Sequence, residues 1–177
     1  LLHKIQSYHN GRIFLLTDCQ NRRLCCLDHL CGIHDLDSFL GVILNLVKKQ
    51  EAEAFVSSGS SGAILVGGQV IVGRSKGVQR PPLAPLIPTQ NGVSLLIDCG
   101  ANVDARPEHL VQFAKMGSIY MEDVVGIKNP RVAIVNIGAE EEKGNALVKE
   151  TFPLLKECKN INFIGSIEAR EIPHGGA

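Results

Sequence analysis

Residues 134–145 read I-V-N-I-G-A-E-E-E-K-G-N. With Val132 and Ala133 ahead of them, Ile134, Val135 and Ile137 form an apolar run with the length and composition of a buried strand. Gly138 cuts the run, Glu140, Glu141 and Glu142 follow, and Lys143, Gly144 and Asn145 lead into a helical pattern that begins at Ala146. Strand, short polar loop and helix is the arrangement in which α/β proteins bind ligands, at the carboxyl ends of strands and on helix N-termini. A lysine there can hold a phosphate or polarise a carbonyl, and glycines let a ligand approach the backbone. The same loop also fits an ordinary solvated turn, because runs of charge usually face water.

Working outward, the pattern recurs. Residues 54–56 (A-F-V) read as a short buried strand that runs into S-S-G-S-S-G-A over 57–63, and an apolar helix is expected over 63–72. Ser57, Gly59, Ser60, Ser61 and Gly62 would leave N–H groups and hydroxyls to surround an anion, or would simply make a Gly/Ser turn. The loop is neither G-x-G-x-x-G nor a phosphate loop ending in G-K-[ST], so no nucleotide motif is met. Residues 93–98 (V-S-L-L-I-D) predict a third buried strand, closed by C-G-A-N-V-D with Asn102 and Asp104 in the break. Pro107 and Glu108 open a helix to about Gly117, and a second helix is expected over 118–125. A strand over 132–137, a helix over 146–157 and a strand over 162–164 complete the series.

Ahead of these, residues 37–49 have helical spacing with Asp37 as N-cap, and residues 12–16 suit a strand. Residues 73–92 read as a basic, Pro-rich connector carrying Arg74, Lys76 and Arg80. Strands that alternate with helices imply a doubly wound α/β fold, a mostly parallel sheet with helices on both faces. Every Gly/Ser/Asn-rich break follows a strand, which gathers the breaks along one edge and places a site there.

The totals narrow the function. The chain has 177 residues, 45% of them apolar, with 18 Lys and Arg against 18 Asp and Glu. That suits about one domain with a real core. It supplies no global basic field, and with 5% aromatics and no Trp nucleic acid is not an expected partner. No apolar run approaches the roughly 20 residues needed to span a bilayer. The polar residues scattered through 1–16 do not suit a signal peptide, so the six cysteines are read as reduced thiols of a cytosolic protein. Residues 19–34 concentrate Cys19, Cys25, Cys26, His29, Cys31 and His34. No C-x-x-C pair is present and a zinc site would crowd its ligands into residues 26–34, so neither metal nor cofactor is expected. The chain lacks an initiator Met and reads as cut at both ends.

From about Phe55 onward the text resembles the PlsX family of bacterial phosphate acyltransferases. The resemblance rests on V-S-S-G-S-S-G-A (family S-A-G-N-T-G-A), I-V-G-R-S-K-G-V-Q-R-P-P-L-A-P-L-I-P-T and L-I-D-C-G-A-N-V-D-A-R-P-E-H-L-V-Q-F-A-K-M-G. It continues through N-P-R-V-A-I-V-N-I-G-A-E-E-E-K-G-N and I-N-F-I-G-S-I-E-A-R. Residues 38–177 then form an incomplete phosphate acyltransferase domain, and residues 1–37 stay unassigned. The implied fold is Rossmann-like, of the isocitrate dehydrogenase and phosphotransacetylase kind, present as a partial domain.

The resemblance implies transfer of an acyl group from acyl-[acyl carrier protein] to inorganic phosphate, giving acyl phosphate for phospholipid synthesis. It implies Lys143 as phosphate clamp or oxyanion stabiliser, with Asn145 beside it. It implies Ser57, Gly59, Ser60, Ser61 and Gly62 as donors to phosphate, and Asn102 and Asp104 as groups that fix thioester or phosphate geometry. Asx-turn capping is open for the Asn and Asp residues. Glu140, Glu141 and Glu142 would repel phosphate and are assigned to solvent, lysine pairing or a partner. Expected partners are acyl carrier protein, phosphate, a second copy in the full-length protein and an acyl-phosphate-using acyltransferase at the membrane. The expected location is the cytoplasm, with a peripheral position on the inner face of the membrane open.

Departures from the family are Ser60 and Ser61 for Asn and Thr, Ser166 for Asn, and Pro82 for Ala. The family's M-G-G-D and D-G-F-x-G-N segments are absent from these residues. Two other readings stay open. One is a phosphate acetyl- or butyryltransferase taking acyl-CoA. The other is an inactive fragment that docks acidic carrier protein through Arg74, Lys76 and Arg80.

Overall fold

The computed structural model describes residues 39–57 and 60–177, together with the backbone of two strands, β1 (Gln6–Tyr8) and β2 (Arg12–Thr17). The chain divides into two compact units, Leu1–Gly77 and Val78–Ala177.

In the first unit β1 and β2 pair antiparallel, and β2 pairs parallel with β3 (Ala54–Ser57). Between β2 and β3 lies α1 (Phe39–Lys48), which buries Ile43 and Leu44 almost completely, as its apolar spacing requires. The expected Asp37 cap lies outside the described residues. After β3, α2 (Ser61–Gly67) passes without a break into a π-helical turn, Gly68–Val72. It starts two residues before the expected helix because Ser60 caps it: the Ser60 Oγ accepts the Ala63 N–H at 3.4 Å.

The second unit holds the remaining elements. An unanticipated strand, β4 (Leu86–Thr89), forms a hairpin with β5 (Gly92–Leu95). Residues 73–92 are therefore not all connector. The prolines conceal this strand in the sequence, and the register explains why it tolerates one. The Leu96 N–H donates to the Pro85 carbonyl at 3.1 Å. Alternation along an antiparallel ladder then makes Pro88–Val93 a non-hydrogen-bonded pair, where a missing N–H is harmless.

Residues 107–123 form one helix, α3 (Pro107–Asp123), in place of the two expected. Gly117 reads as a break but sits at a close approach. A Cβ built there would lie 3.5 Å from Leu95 Cδ2 and 3.6 Å from Ile97 Cγ2. Tertiary packing outweighs its low helix propensity.

The strand β6 (Arg131–Asn136), the helix α4 (Ala146–Glu157) and the strand β7 (Asn162–Glu168) form a βαβ unit, with β6 and β7 parallel. Strand β7 runs four residues beyond the expected 162–164, across a register shift opposite Val132 and Ala133. A 3₁₀ segment, Ala169–His174, follows. Ala114, Ile134, Phe152 and Leu155 form the core of this unit, with Leu110, Val132, Val148 and Phe163 packed against it. Phe152 and Phe163 meet edge to face at 5.2 Å, a geometry that adds about 1 kcal/mol beyond area burial.

The α/β architecture and the parallel β6–β7 pairing are as expected. The assembly differs from a single doubly wound sheet: among the described residues the strands pair as three separate sheets, β1-β2-β3, β4-β5 and β6-β7. No helix among the described residues is long and apolar enough to cross a membrane.

Candidate functional site

Strand β6 ends at Asn136, which is buried although polar. Its Nδ2 donates to the Lys143 carbonyl at 2.9 Å and to the Ser166 Oγ at 3.4 Å, while its Oδ1 accepts the Ile137 N–H at 2.8 Å. One side chain thus folds residues 137–143 back over the strand end and ties them to β7. Gly144 makes the closure possible. Its φ is +111°, and a Cβ there would stand 2.6 Å from Asn136 Oδ1 and 3.0 Å from Val148 Cβ. Only glycine meets both conditions without strain.

On this loop the Lys143 side chain is half exposed, and its Nζ reaches Glu140 Oε1 at 2.9 Å. The lysine donates to the Glu140 carboxylate and holds that group below its ordinary range, helped by a backbone hydrogen bond. Glu141 pairs in turn with Lys156 at 3.1 Å. Two of the three carboxylates are thus in lysine pairs. Asn145 caps α4: its Oδ1 accepts the Val148 N–H at 2.9 Å. Its carbonyl oxygen is committed to the helix, which limits Asn145 to a site role through its amide.

A second cluster surrounds residues 98–104. The Asp98 Oδ1 accepts N–H groups from Leu83 at 2.7 Å and Ala101 at 3.4 Å. Its Oδ2 accepts the Asn102 N–H at 2.7 Å and the Asn102 Nδ2 at 3.1 Å. The Asn102 Nδ2 also donates to the Pro81 carbonyl at 3.2 Å. Asp104 forms a bidentate pair with Arg80. That pair lowers the Asp104 carboxyl pKa and raises that of the guanidinium, in each case chiefly by the hydrogen bond itself. Between them, burial pushes the Cys99 thiol up, and the Asp98 charge pushes it further, so this thiol is not an activated nucleophile.

The structure therefore gathers Lys143 and Asn145 into one cluster at the β6 end, and Asn102 and Asp104 into another. No hydrogen bond joins the two clusters among the described residues. Ser57, Ser60, Ser61 and Gly62 belong to the first unit, where Ser57 ends β3 and Ser60 caps α2; Gly59 lies outside the described residues. Sequence reasoning missed Asp98 and Asn136, the two residues that organise the loops. A lone Asp at a strand end and an Asn inside an apolar run were the signals present. Arg80, one of the three cations of the expected docking surface, is paired with Asp104. Among the described residues, no three His, Cys, Asp or Glu side chains come together as metal ligands. The Cys/His stretch of 19–34 lies outside those residues.

A half-exposed ammonium at a strand's carboxyl end, beside a capped helix N-terminus, can receive an anion and stabilise negative charge that develops on an oxygen. Its pairing with an exposed carboxylate is weak and readily exchanged.

Residues 33–177 match the model of a family described as fatty acid synthesis protein. The chain is 57% identical over 139 residues to a phosphate acyltransferase of Clostridium perfringens (strain SM101 / Type A), covering 78% of this chain and 41% of that protein. Similar relatives bear the same name in Clostridium novyi (strain NT), 54% identical over 132 residues (75% of this chain, 40% of the relative), and in Desulfitobacterium hafniense (strain Y51), 52% identical over 141 residues (80% and 42%). The chain spans about two-fifths of the length of these curated relatives.

Proposed function

The chain belongs to the fatty acid synthesis protein family, the PlsX family, and from that premise we propose that it carries the anion-binding part of a phosphate acyltransferase that converts acyl-[acyl carrier protein] and inorganic phosphate to acyl phosphate. The supporting observation is Lys143, held on a glycine-containing loop at the β6 end, whose ammonium among the described residues pairs with one exposed carboxylate it can leave at little cost.

In this reading phosphate displaces Glu140 from the Lys143 ammonium. A phosphate oxygen attacks the thioester carbonyl, and the carbonyl oxygen takes up the electron pair. Collapse of the tetrahedral species expels the carrier thiolate, which is protonated by solvent, and leaves the mixed anhydride. Phosphate is already substantially dianionic near neutral pH, so the principal tasks are to hold it beside the thioester and to stabilise the oxyanion. The Asn145 amide, on the same loop as Lys143, is the remaining group of this unit assigned to substrate. Acyl phosphate is prone to hydrolysis, so its consumer would be a second acyltransferase acting close by. A cytoplasmic site, on the side of the membrane where acyl carrier protein is found, follows from the same substrate assignment.

The test is phosphate-dependent trapping of acyl phosphate with hydroxylamine from long-chain acyl-[acyl carrier protein]. It is run on this chain and on the Clostridium perfringens relative, each beside a lysine-to-alanine variant at the position of Lys143. Loss of about 100-fold or more in rate is expected of the variant, the size typical when one oxyanion donor is removed. A variant that retains its rate, or a preference for acyl-CoA over acyl carrier protein, defeats the reading. The second outcome favours the acetyl- or butyryltransferase class.

A further inference from the structure

Gly138 and Gly144 bracket the loop that carries Lys143, and they are glycines for different reasons. Gly144 stands at a φ of +111°, a conformation that itself favours glycine. Gly138 has no positive φ, so conformation does not call for glycine there. It is nevertheless buried, between the exposed residues Ile137 and Ala139. Its cover is the Lys143–Glu140 pair. A Cβ built at Gly138 would stand 2.5 Å from Lys143 Cδ, 3.2 Å from Lys143 Nζ and 2.7 Å from Glu140 Oε2. The lysine stem therefore crosses the strand end over the Gly138 Cα, through space that a side chain would fill. The main chain of Lys143 is tied on both sides. Its N–H donates to the Glu140 carbonyl at 3.2 Å, and its carbonyl accepts from Asn136 Nδ2 at 2.9 Å. With the backbone fixed, the place of the ammonium depends on what the stem rests against.

We infer that Gly138 is a positioning residue for Lys143: its missing side chain leaves the seat in which the lysine stem lies, and that seat sets where the ammonium meets an anion. The inference rests on the role proposed above for Lys143. Non-bonded carbons approach to about 3.5–4.0 Å, so a methyl at Gly138 would push the Lys143 stem by about 1 Å. A misplacement of that size at a reacting centre can cost about 100-fold in rate. The same methyl would press on the Glu140 carboxylate and open the pair. Both neighbours are flexible and more than half exposed, at 51% and 63% of their side-chain surface, so they can yield. The methyl is thus expected to move the cation while leaving the loop folded. Gly144 differs, because a methyl there meets Asn136, the residue that holds the backbone.

The test uses the 177-residue chain, with Gly138→Ala, Lys143→Ala and the double variant beside it. In the unaltered chain, NMR should show cross-relaxation between the Gly138 Hα and Lys143 Hδ protons. The Glu140 carboxyl carbon, followed by 13C NMR through an acid titration, should report a midpoint held low by its lysine partner. Gly138→Ala should shift that midpoint upwards as Lys143→Ala does, and should add no further shift in the double variant. Inorganic phosphate, titrated and read by 31P NMR, should bind Gly138→Ala about tenfold or more weakly, the equivalent of one hydrogen bond to a charged group. Urea midpoints are measured on all four chains. A Gly138→Ala chain that unfolds early but is restored by Lys143→Ala reports the same steric conflict and supports the seat.

Absence of the cross-relaxation overturns the inference. So does a Gly138→Ala chain with an unmoved Glu140 midpoint and undiminished phosphate binding. A loss of stability that persists equally in the double variant overturns it too, because Gly138 would then serve the fold rather than the lysine. Failure of the functional reading looks different. Phosphate binding unchanged in Lys143→Ala, with the Glu140 midpoint still shifted by Gly138→Ala, would keep the seat and remove its role towards phosphate.

Discussion

The two polar loops of the second unit, residues 137–145 and residues 98–104, are built on opposite plans. In the second loop the polar atoms hold the loop itself. Asp98 collects four N–H donors, the Asn102 amide is shared between Asp98 and Pro81, and Asp104 is closed by a bidentate arginine. In the first loop the holding is done by Asn136 and by the space reserved at Gly144, while the charged group, Lys143, pairs among the described residues with one exposed carboxylate. Rigid support placed beneath a loosely paired cation is what a binding group needs: the backbone is set in advance and the charge remains exchangeable. A loop whose donors are already satisfied is better suited to shape than to bind.

That contrast can be broken by mutation. Asp98→Ala should have the largest effect on stability, about 3 kcal/mol by urea unfolding, because several backbone N–H groups lose a charged acceptor at once. A loss below about 1 kcal/mol would mean that water replaces the carboxylate and that the loop is not organised by it. Gly144→Ala should cost about 2 kcal/mol, since the added methyl meets Asn136 Oδ1 and the backbone remains at positive φ. Equal loss in Asn136→Ala/Gly144→Ala and in the Gly144→Ala single variant, relative to their own parents, would show that the clash with Asn136 is not the cause.

Glu140→Gln should change stability by less than about 0.5 kcal/mol, as expected of an exposed pair. It should leave the Lys143-dependent trapping rate equal or raised, because phosphate no longer competes with the carboxylate. A fall in that rate would turn Glu140 from a competitor into a participant.

The smallest effect is in the pH dependence. Asp104 and Glu140 both have carboxyl pKa values below the ordinary range in the folded chain, each first through a hydrogen bond from its cationic partner. A lowered folded-state value means that the unfolded chain takes up protons first as pH falls. The contribution is therefore complete above about pH 5 and is lost as acid titrates through the lowered values. Both groups are exposed, so the loss should shrink further in 0.5 M salt. Melting temperatures at pH 6 and pH 3.5, each at low and high salt, check this. A stability that rises on acidification would contradict the assigned pairs.

Local signals accounted for much of the second unit. The helix over 146–157 was legible to the residue because a capping Asn precedes an apolar period of 3.6, and a cap acts only on its own neighbours. Lys143 stood out because it lies in the polar break between a strand and a helix and because the resemblance to the PlsX family implied it. Other elements were hidden for physical reasons. Pro88 disguised β4, since tolerance of a proline depends on which way its partner's N–H points across the ladder. Gly117 split α3 on paper, since its packing against Leu95 and Ile97 involves residues twenty positions away or more.

The chain by itself determined the α/β alternation and the family, because these depend on spacing along the chain and on contiguous blocks of text. Tertiary structure alone decided which strands pair, and that Asp98 and Asn136, neither singled out in the sequence, organise the two loops. Those outcomes depend on where N–H and C=O groups converge in space. Residues far apart in sequence supply them, and no local pattern records the direction in which a hydrogen bond points.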